Sequence, residues 1–359
     1  MKKYALPERV KKLIPYEPIT GDYEIRLDAN ESPYNLPEYL KEKIIAEISE
    51  IDFNRYSDPY ATKAVKAFAD YYNIKPENVV AGNGSDELIG YIVSVLTEGK
   101  ICVLSDDFSM YRIYAELYNK EFVIFQKERK TQVNNKTLED FIIDPEKLIA
   151  FCQEQDVKML MFSNPCNPTS MGLNKTDVRN IINALPETLI ILDEAYMDFW
   201  NQSLIEELFP NVVILRTASK AFGLAGIRMG FAVANIEIIT ALKAIKAPYN
   251  TNAISQKIVE IIYSDKEYLK NFEYFSLKNK LVGDIAELGF KVLNSTTNFV
   301  YFETEKAEDI YKFLLENSIA VRCFGNTLRI TSGTESENNV LIGTLKRFNN
   351  ANSSNNTKN

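Results

Sequence analysis

The sequence predicts an α/β protein: one mostly parallel sheet covered by helices on both faces, followed by a smaller α+β unit. Two observations carry this. Between about residues 60 and 235, short apolar, β-branched runs alternate with helical patterns. Past about residue 250 the alternation stops, and long amphipathic stretches give way to a few isolated strand-like runs. The length, 359 residues, suits two units better than one small core.

Taken in order, the candidate strands of the large unit are NVVAG (78–82), KICVLS (100–105), EFVIF (121–125), KMLMFS (158–163), TLIILD (188–193), NVVILR (211–216) and GFAVA (230–234). They are nearly continuous in apolar residues, as strands buried on both faces must be. DELIGYIVSVL and KTDVRNIINAL are two of the helical patterns between them. The stretch NAISQKIVEIIYSDKEYLKNFEYFSLKNKLVGDIAEL reads as one long helix or two, closed near Gly289. FKVL, TNFVYFE, the helix AEDIYKFLLENS and LRITSG complete the smaller unit. The expected organisation is an N-terminal arm over 1–35, a large unit over 36–250 and a smaller unit over 251–350. The polar run NNANSSNNTKN predicts a disordered tail over 351–359.

Composition removes several function classes. Hydrophobic residues at 46% and charged residues at 25% are the balance of a soluble globular protein. The net charge of −8 argues against a nucleic-acid partner, and KERKTQVNNK (127–136), the one modest basic run, reads as a solvated loop. The chain has no histidine, so imidazole zinc sites and Ser-His or Cys-His nucleophiles are absent and no metal is expected. Acid–base work must fall to Lys, Asp, Glu, Tyr or a cofactor. Cys102, Cys152, Cys166 and Cys323 show no CxxC spacing and read as reduced thiols of a cytoplasmic protein. The N-terminus lacks an apolar signal core, and no run is long enough to span a membrane.

Chemistry-bearing residues follow the strands. GNGSDEL (82–88) is a glycine-rich turn opening a helix, where free N–H groups suit a phosphate; a plain turn capped by Ser85 reads equally well. DDFSMY follows the second strand with Phe108. NPCNPTS (164–170) is a rigid loop that fixes the Asn167 amide, or only a turn. LDEAYMDF sets Asp193 at the end of a buried strand, either to cap the next helix or to meet a cation. In TASKAFGLAGIRMG, Thr217, Ser219 and Arg228 form a set able to bind a phosphate dianion, with Lys220 beside them. A lysine beside a cation in a partly desolvated site is a nucleophile toward carbonyls. Taken alone, that run is a basic surface turn. Ligands of open parallel sheets bind outside the strands' carboxyl ends, and there all these groups converge. Arg329 in LRITSG and Arg322 before it are either surface charges or anchors for an anionic group.

Eight segments, in order, resemble the pyridoxal-phosphate aminotransferases of fold type I, and within them the histidinol-phosphate aminotransferase family. They are LDANESPYNLP (27–37), NRYSDP (54–59), GNGSDE (82–87), NPCNPT (164–169), LDEAYMDF (192–199), RTASKAFGLAGIRMGF (216–231), PYNTNAISQ (248–256) and LRITSGT (328–334). The resemblance implies a large domain with a seven-stranded sheet, a smaller domain, and pyridoxal 5'-phosphate as cofactor. It implies that Lys220 holds the cofactor as an internal aldimine and then shuttles a proton. Asp193 pairs with the pyridinium nitrogen, Asn167 and Tyr196 hold the ring's phenolic oxygen, and Phe108 stacks on the ring. Ser85, Asp86, Thr217, Ser219 and Arg228 hold the phosphate.

The resemblance further implies a homodimer, with the arm at its interface and Tyr56 reaching the neighbouring cofactor. Arg329 binds the anionic end of the substrate, with Arg322, Asn30 and Tyr16 as further contacts. The implied reaction is amino transfer between histidinol phosphate and 2-oxoglutarate in histidine biosynthesis, a ping-pong sequence through pyridoxamine phosphate. Aromatic amino-acid aminotransferases and threonine-phosphate decarboxylases share the scaffold. Two positions depart from the family loop: Cys166 replaces the usual asparagine, and Ser170 the usual glycine.

Overall fold

The chain was described as a computed structural model, covering residues 4–12, 18–129, 132–134, 137–139, 141–270 and 274–356. Its large sheet has seven strands in the spatial order Val79–Gly82, Gly230–Val233, Val212–Thr217, Leu189–Asp193, Val157–Ser163, Lys100–Leu104 and Phe122–Phe125. These are the seven expected strands, each within one residue at either end. Their apolar runs alternate between two cores. Ala81, Leu104, Phe162, Leu192 and Ile214 face one; Val80, Val103, Met161, Ile191 and Val213 face the other. Helices bury both cores, so the strands have no polar face to show.

Six strands run parallel. The exception is Gly230–Val233, antiparallel to both neighbours. The segment 218–229 that joins it to the preceding strand holds one 3-10 segment and no α-helix, so no crossover helix carries the chain back. The carboxyl ends Gly82, Leu104, Ser163, Asp193 and Thr217 therefore share one sheet edge with the amino end of the seventh strand, at Gly230.

The second sheet has six strands, ordered Arg322–Phe324, Thr327–Thr331, Phe299–Glu303, Lys291–Leu293, Thr137–Glu139 and Gln132–Asn134. Gln132–Asn134 corrects the solvated-loop reading of 127–136 where that stretch is described. Its backbone and that of Thr137–Glu139 extend the smaller sheet, and Lys127 itself is buried. The helices Tyr274–Glu287, Ala307–Glu316 and Glu335–Asn356 cover this sheet, burying Leu281, Ile285, Ile310, Leu314, Leu341 and Leu345. Ile25–Arg26 of the arm pairs with Ile319–Ala320, and Ile25 and Leu27 join the same core.

Two expectations are corrected. The helix Ala253–Ser264 lies in the 251–350 stretch but buries Ile258, Val259, Ile261, Ile262 and Tyr263 in the core of the large sheet, against the helix Thr62–Tyr71. The last helix runs on to Asn356, with no Gly or Pro after 343 to stop it, so the tail is helical from 351 to 356. Residues 357–359 lie outside the described residues. No helix among the described residues is long and apolar enough to cross a membrane.

Candidate active site

A cavity of about 860 Å³ opens at the shared strand edge, between the two sheets. Asn30, Ser85, Asp86, Phe108, Asn167, Asp193, Tyr196, Thr217, Ser219, Lys220, Arg228, Arg322 and Arg329 all line it. Of the remaining sequence-predicted residues, Tyr16 lies outside the described residues. Tyr56 is away from this cavity, 83% exposed, and its ring stacks on Tyr249 at 4.5 Å.

One wall is built for an anion. The turn Gly82–Gly84 feeds the helix Ser85–Val95, whose first N–H groups lack intrahelical partners. Gly84 sits at φ +84°, and a Cβ there would meet Arg228 Nη2 at 2.7 Å. A Cβ on Gly230 would lie 2.3 Å from Ser85 N. Gly230 is thus required by close approach to backbone and Gly84 by its positive φ, and together they leave a cradle beside a guanidinium. Arg228 Nη1 donates to Ser219 Oγ at 3.4 Å, and Nη2 lies 3.8 Å from Asp86 Oδ2. Thr217 Oγ1 donates to Ser219 Oγ at 3.0 Å. Burial raises the Asp86 carboxyl, opposed by Arg228 and Lys220.

The floor carries Asp193, 4% exposed. Its two oxygens accept from Tyr111 Oη at 2.7 Å and from Ala195 N at 3.1 Å, neither of them a cation. Desolvation lifts this carboxyl to about 7, against the lowering effect of those two bonds and with a further push from Asp86 and Asp107. An acid so placed gains from a positively charged partner delivered into the cavity.

Lys220 Nζ donates to Ala29 O at 2.9 Å and sits 5.9 Å from the centre of the Tyr196 ring. Tyr196 Oη accepts from Asn30 Nδ2 at 2.9 Å. Asn30, at φ +54°, is tied by its backbone N–H to Thr331 Oγ1, so the arm hangs from the smaller sheet while touching the lysine and the tyrosine. Arg329 alternates with Leu328 and Ile330, which enter the smaller core; its own side chain therefore faces the cavity. Arg322 is its cross-strand neighbour.

The Asn167 loop is held from behind. Ser163 Oγ accepts from Asn167 N at 3.2 Å and donates a short bond to Asp107. Asp107 in turn lies 3.6 Å from the buried Lys127 ammonium, which donates to Cys166 Sγ at 3.1 Å. Cys166 thus fills the asparagine position as a buried thiol, raised by desolvation, and Ser170 holds the glycine position at φ +62°. Arg216 clamps the loop after Asp193 by pairing with Glu194 at 2.9 Å and Asp198 at 2.8 Å.

Sequence reasoning missed Tyr111 and Asp107. Tyr111 stands three residues after Phe108, a spacing that brings two aromatics to one side of a helix start, and their rings meet edge-on at 5.6 Å. That spacing is the signal that could have found it.

Comparison with known proteins places the chain in a family. The family model for aminotransferase class I and II matches residues 23–345. The chain is 36% identical to the histidinol-phosphate aminotransferase of Clostridium novyi over 349 residues, covering 94% of this chain and 95% of that one. It is 35% identical to the histidinol-phosphate aminotransferase of Pyrococcus furiosus over 352 residues, covering 95% and 97%. Among solved structures, histidinol-phosphate aminotransferase from Sinorhizobium meliloti in complex with pyridoxal-5'-phosphate superposes with a TM-score of 0.83 at 24% identity, covering 96% of this chain and 98% of that one, a likeness of fold.

Proposed function

The chain belongs to the class I and II aminotransferases, and on that premise we propose that it is a pyridoxal-phosphate-dependent enzyme exchanging the amino group of histidinol phosphate with 2-oxoglutarate. The observation that carries the cofactor reading is the convergence of Asp193, Lys220 and Arg228 on one cavity with a glycine-lined anion cradle. The residues fit the group. A desolvated carboxylate whose hydrogen bonds come from neutral donors suits a protonated ring nitrogen, and the cradle suits a phosphate. The substrate reading is supported by the names and the end-to-end similarity of the relatives.

In this reading Ser85 and Asp86 N–H groups, Thr217, Ser219 and Arg228 hold the phosphate. Asn167 and Tyr196 orient the ring, and Phe108 bounds one of its faces. When bound, the cofactor supplies an electron sink for charge developing at the substrate α-carbon. Lys220 Nζ, which lines the same space, would hold the cofactor and serve as the base that moves a proton at the substrate α-carbon. Asp193 would accept the hydrogen bond of a protonated ring nitrogen. Arg329 and Arg322 take the anionic end of either substrate, with Asn30 beside them, and Arg329 brings a planar donor fork suited to carboxylate or phosphate.

The enzyme is read as a cytoplasmic homodimer. Tyr56, Phe53 and Tyr60 are exposed aromatics, which supports a partner-facing surface from which Tyr56 reaches the neighbouring cofactor phosphate. Four unbridged cysteines support a reducing compartment.

The test is a pair of half-reactions on purified protein with pyridoxal phosphate. Glutamate alone should discharge the visible absorption and release one 2-oxoglutarate per site. Histidinol phosphate should likewise discharge the absorption, releasing imidazole-acetol phosphate instead, and should outcompete phenylalanine; threonine phosphate should release no carbon dioxide. No spectral change with glutamate sinks the reading.

A further inference from the structure

We propose that Tyr111 is a positioning residue for Asp193, fixing the plane of its carboxylate and holding it as an acceptor toward the protonated ring nitrogen of the cofactor. The inference rests on the cofactor reading of the cavity given above.

Tyr111 is 1% exposed, on the helix Met110–Leu117. Its ring packs in the apolar core on one side of the large sheet, with Val103, Met161 and Ala115. Such a ring has no rotational freedom to lose, so its hydroxyl is a fixed donor. That hydroxyl points at Asp193 Oδ2, while Ala195 N takes Oδ1. Two donors on two different oxygens define the carboxylate plane; either alone would let it swing about χ2. Across the cavity the cations Lys220 and Arg228 line the same space, while Asp86 and Asp107 are anionic and disfavour a third negative charge. Without the phenol, burial and those two carboxylates push Asp193 toward its protonated form. A protonated acid offers the ring nitrogen's proton a poorer acceptor. Burial and the Asp193 charge keep the phenol itself protonated, its pKa well above the ordinary range, so it donates at every working pH.

The test is Tyr111→Phe, which keeps the ring and removes the donor. Pyridoxal phosphate is titrated into wild type, Tyr111→Phe, Asp193→Asn and the double variant, from mildly acid to mildly alkaline pH. Melting of each cofactor-free form reports the fold. Tyr111→Phe should weaken binding roughly tenfold near neutral pH, the scale of one hydrogen bond to a charged group. It should also move the midpoint of the pH–affinity curve upward. In the Asp193→Asn background the same change should do nothing, because its effect passes through that carboxylate. Unchanged affinity and midpoint in Tyr111→Phe, or an equal loss in both backgrounds, would overturn the proposal. Should Tyr111→Phe fail to fold, difluorotyrosine installed at 111 replaces it. This stronger donor must move the midpoint downward, and no movement overturns the proposal. Wild type failing to bind pyridoxal phosphate would instead defeat the reading of the cavity.

Discussion

Arg329 Nη1 donates a 2.6 Å hydrogen bond to Asn167 Oδ1, joining a strand of the smaller sheet to the loop after strand Val157–Ser163 of the large one. The same guanidinium gives Nη2 to Asp28 O at 2.5 Å. One side chain thus ties the arm, the large sheet and the smaller sheet around the cavity mouth. A lysine carries the charge but not the fork. Arg329→Lys should therefore raise KM for glutamate by roughly 10–100-fold with a smaller effect on kcat, the loss of one or two charged hydrogen bonds. Steady-state kinetics with glutamate and 2-oxoglutarate check it.

Asp193 makes the cofactor-free protein sensitive to pH in a defined direction. Its carboxyl stands at about 7 when folded, against about 3.9 in an unfolded chain. Between those values the folded chain keeps a proton that the unfolded chain has lost. By linkage, the stability of the cofactor-free form falls as pH rises from about 4 to about 7, by a few kcal/mol in all. Asp193→Asn should remove that slope, so the variant gains on wild type steadily across the window. Urea unfolding at several pH values, without cofactor, measures it.

Gly230→Ala should strike the anion cradle. The added methyl would lie 2.3 Å from Ser85 N and 2.5 Å from Gly84 C, backbone atoms that cannot swing aside. Overpacking of this kind costs about 1–3 kcal/mol. The helix start must shift, so cofactor affinity should fall along with melting temperature. A pyridoxal phosphate titration beside a thermal melt separates the two effects.

Ser170→Gly should stabilise the protein. Ser170 is fully buried at φ +62°, a left-handed conformation that glycine adopts without steric cost. Its hydroxyl makes only a 3.4 Å contact to Asn294 O, while the bonds from Thr296 go to its carbonyl and survive the change. The expected gain is about 0.5–1 kcal/mol, relief of a left-handed penalty less the added freedom of the unfolded chain. Chemical denaturation checks it.

The large sheet was legible because its strands are buried on both faces and carry continuous apolar runs, which is why each of the seven expected strands reappears. The site was legible where chemistry sits at the carboxyl ends of apolar strands: Asp193, Asn167, Lys220 and Arg228 line one cavity there. The strands 132–134 and 137–139 were not legible. QVN and TLE are polar, and their partner strand lies far along the chain. The direction of Gly230–Val233 was likewise hidden, since an apolar run looks the same read either way. Tyr111 passed for core because an aromatic on an apolar helix face carries no sign of its hydroxyl's partner, 82 positions away.

The loan of those two strands to the smaller sheet has a consequence for synthesis. Thr137 pairs with Val292, and the intervening chain takes a ribosome roughly 8–30 s to add at about 5–20 residues per second. Through that interval the edge of 137–139 has no native neighbour on one side. The nascent chain must therefore be guarded against mispairing until residues 291–293 emerge, and a fragment ending near residue 250 would leave the backbone of 137–139 without that partner.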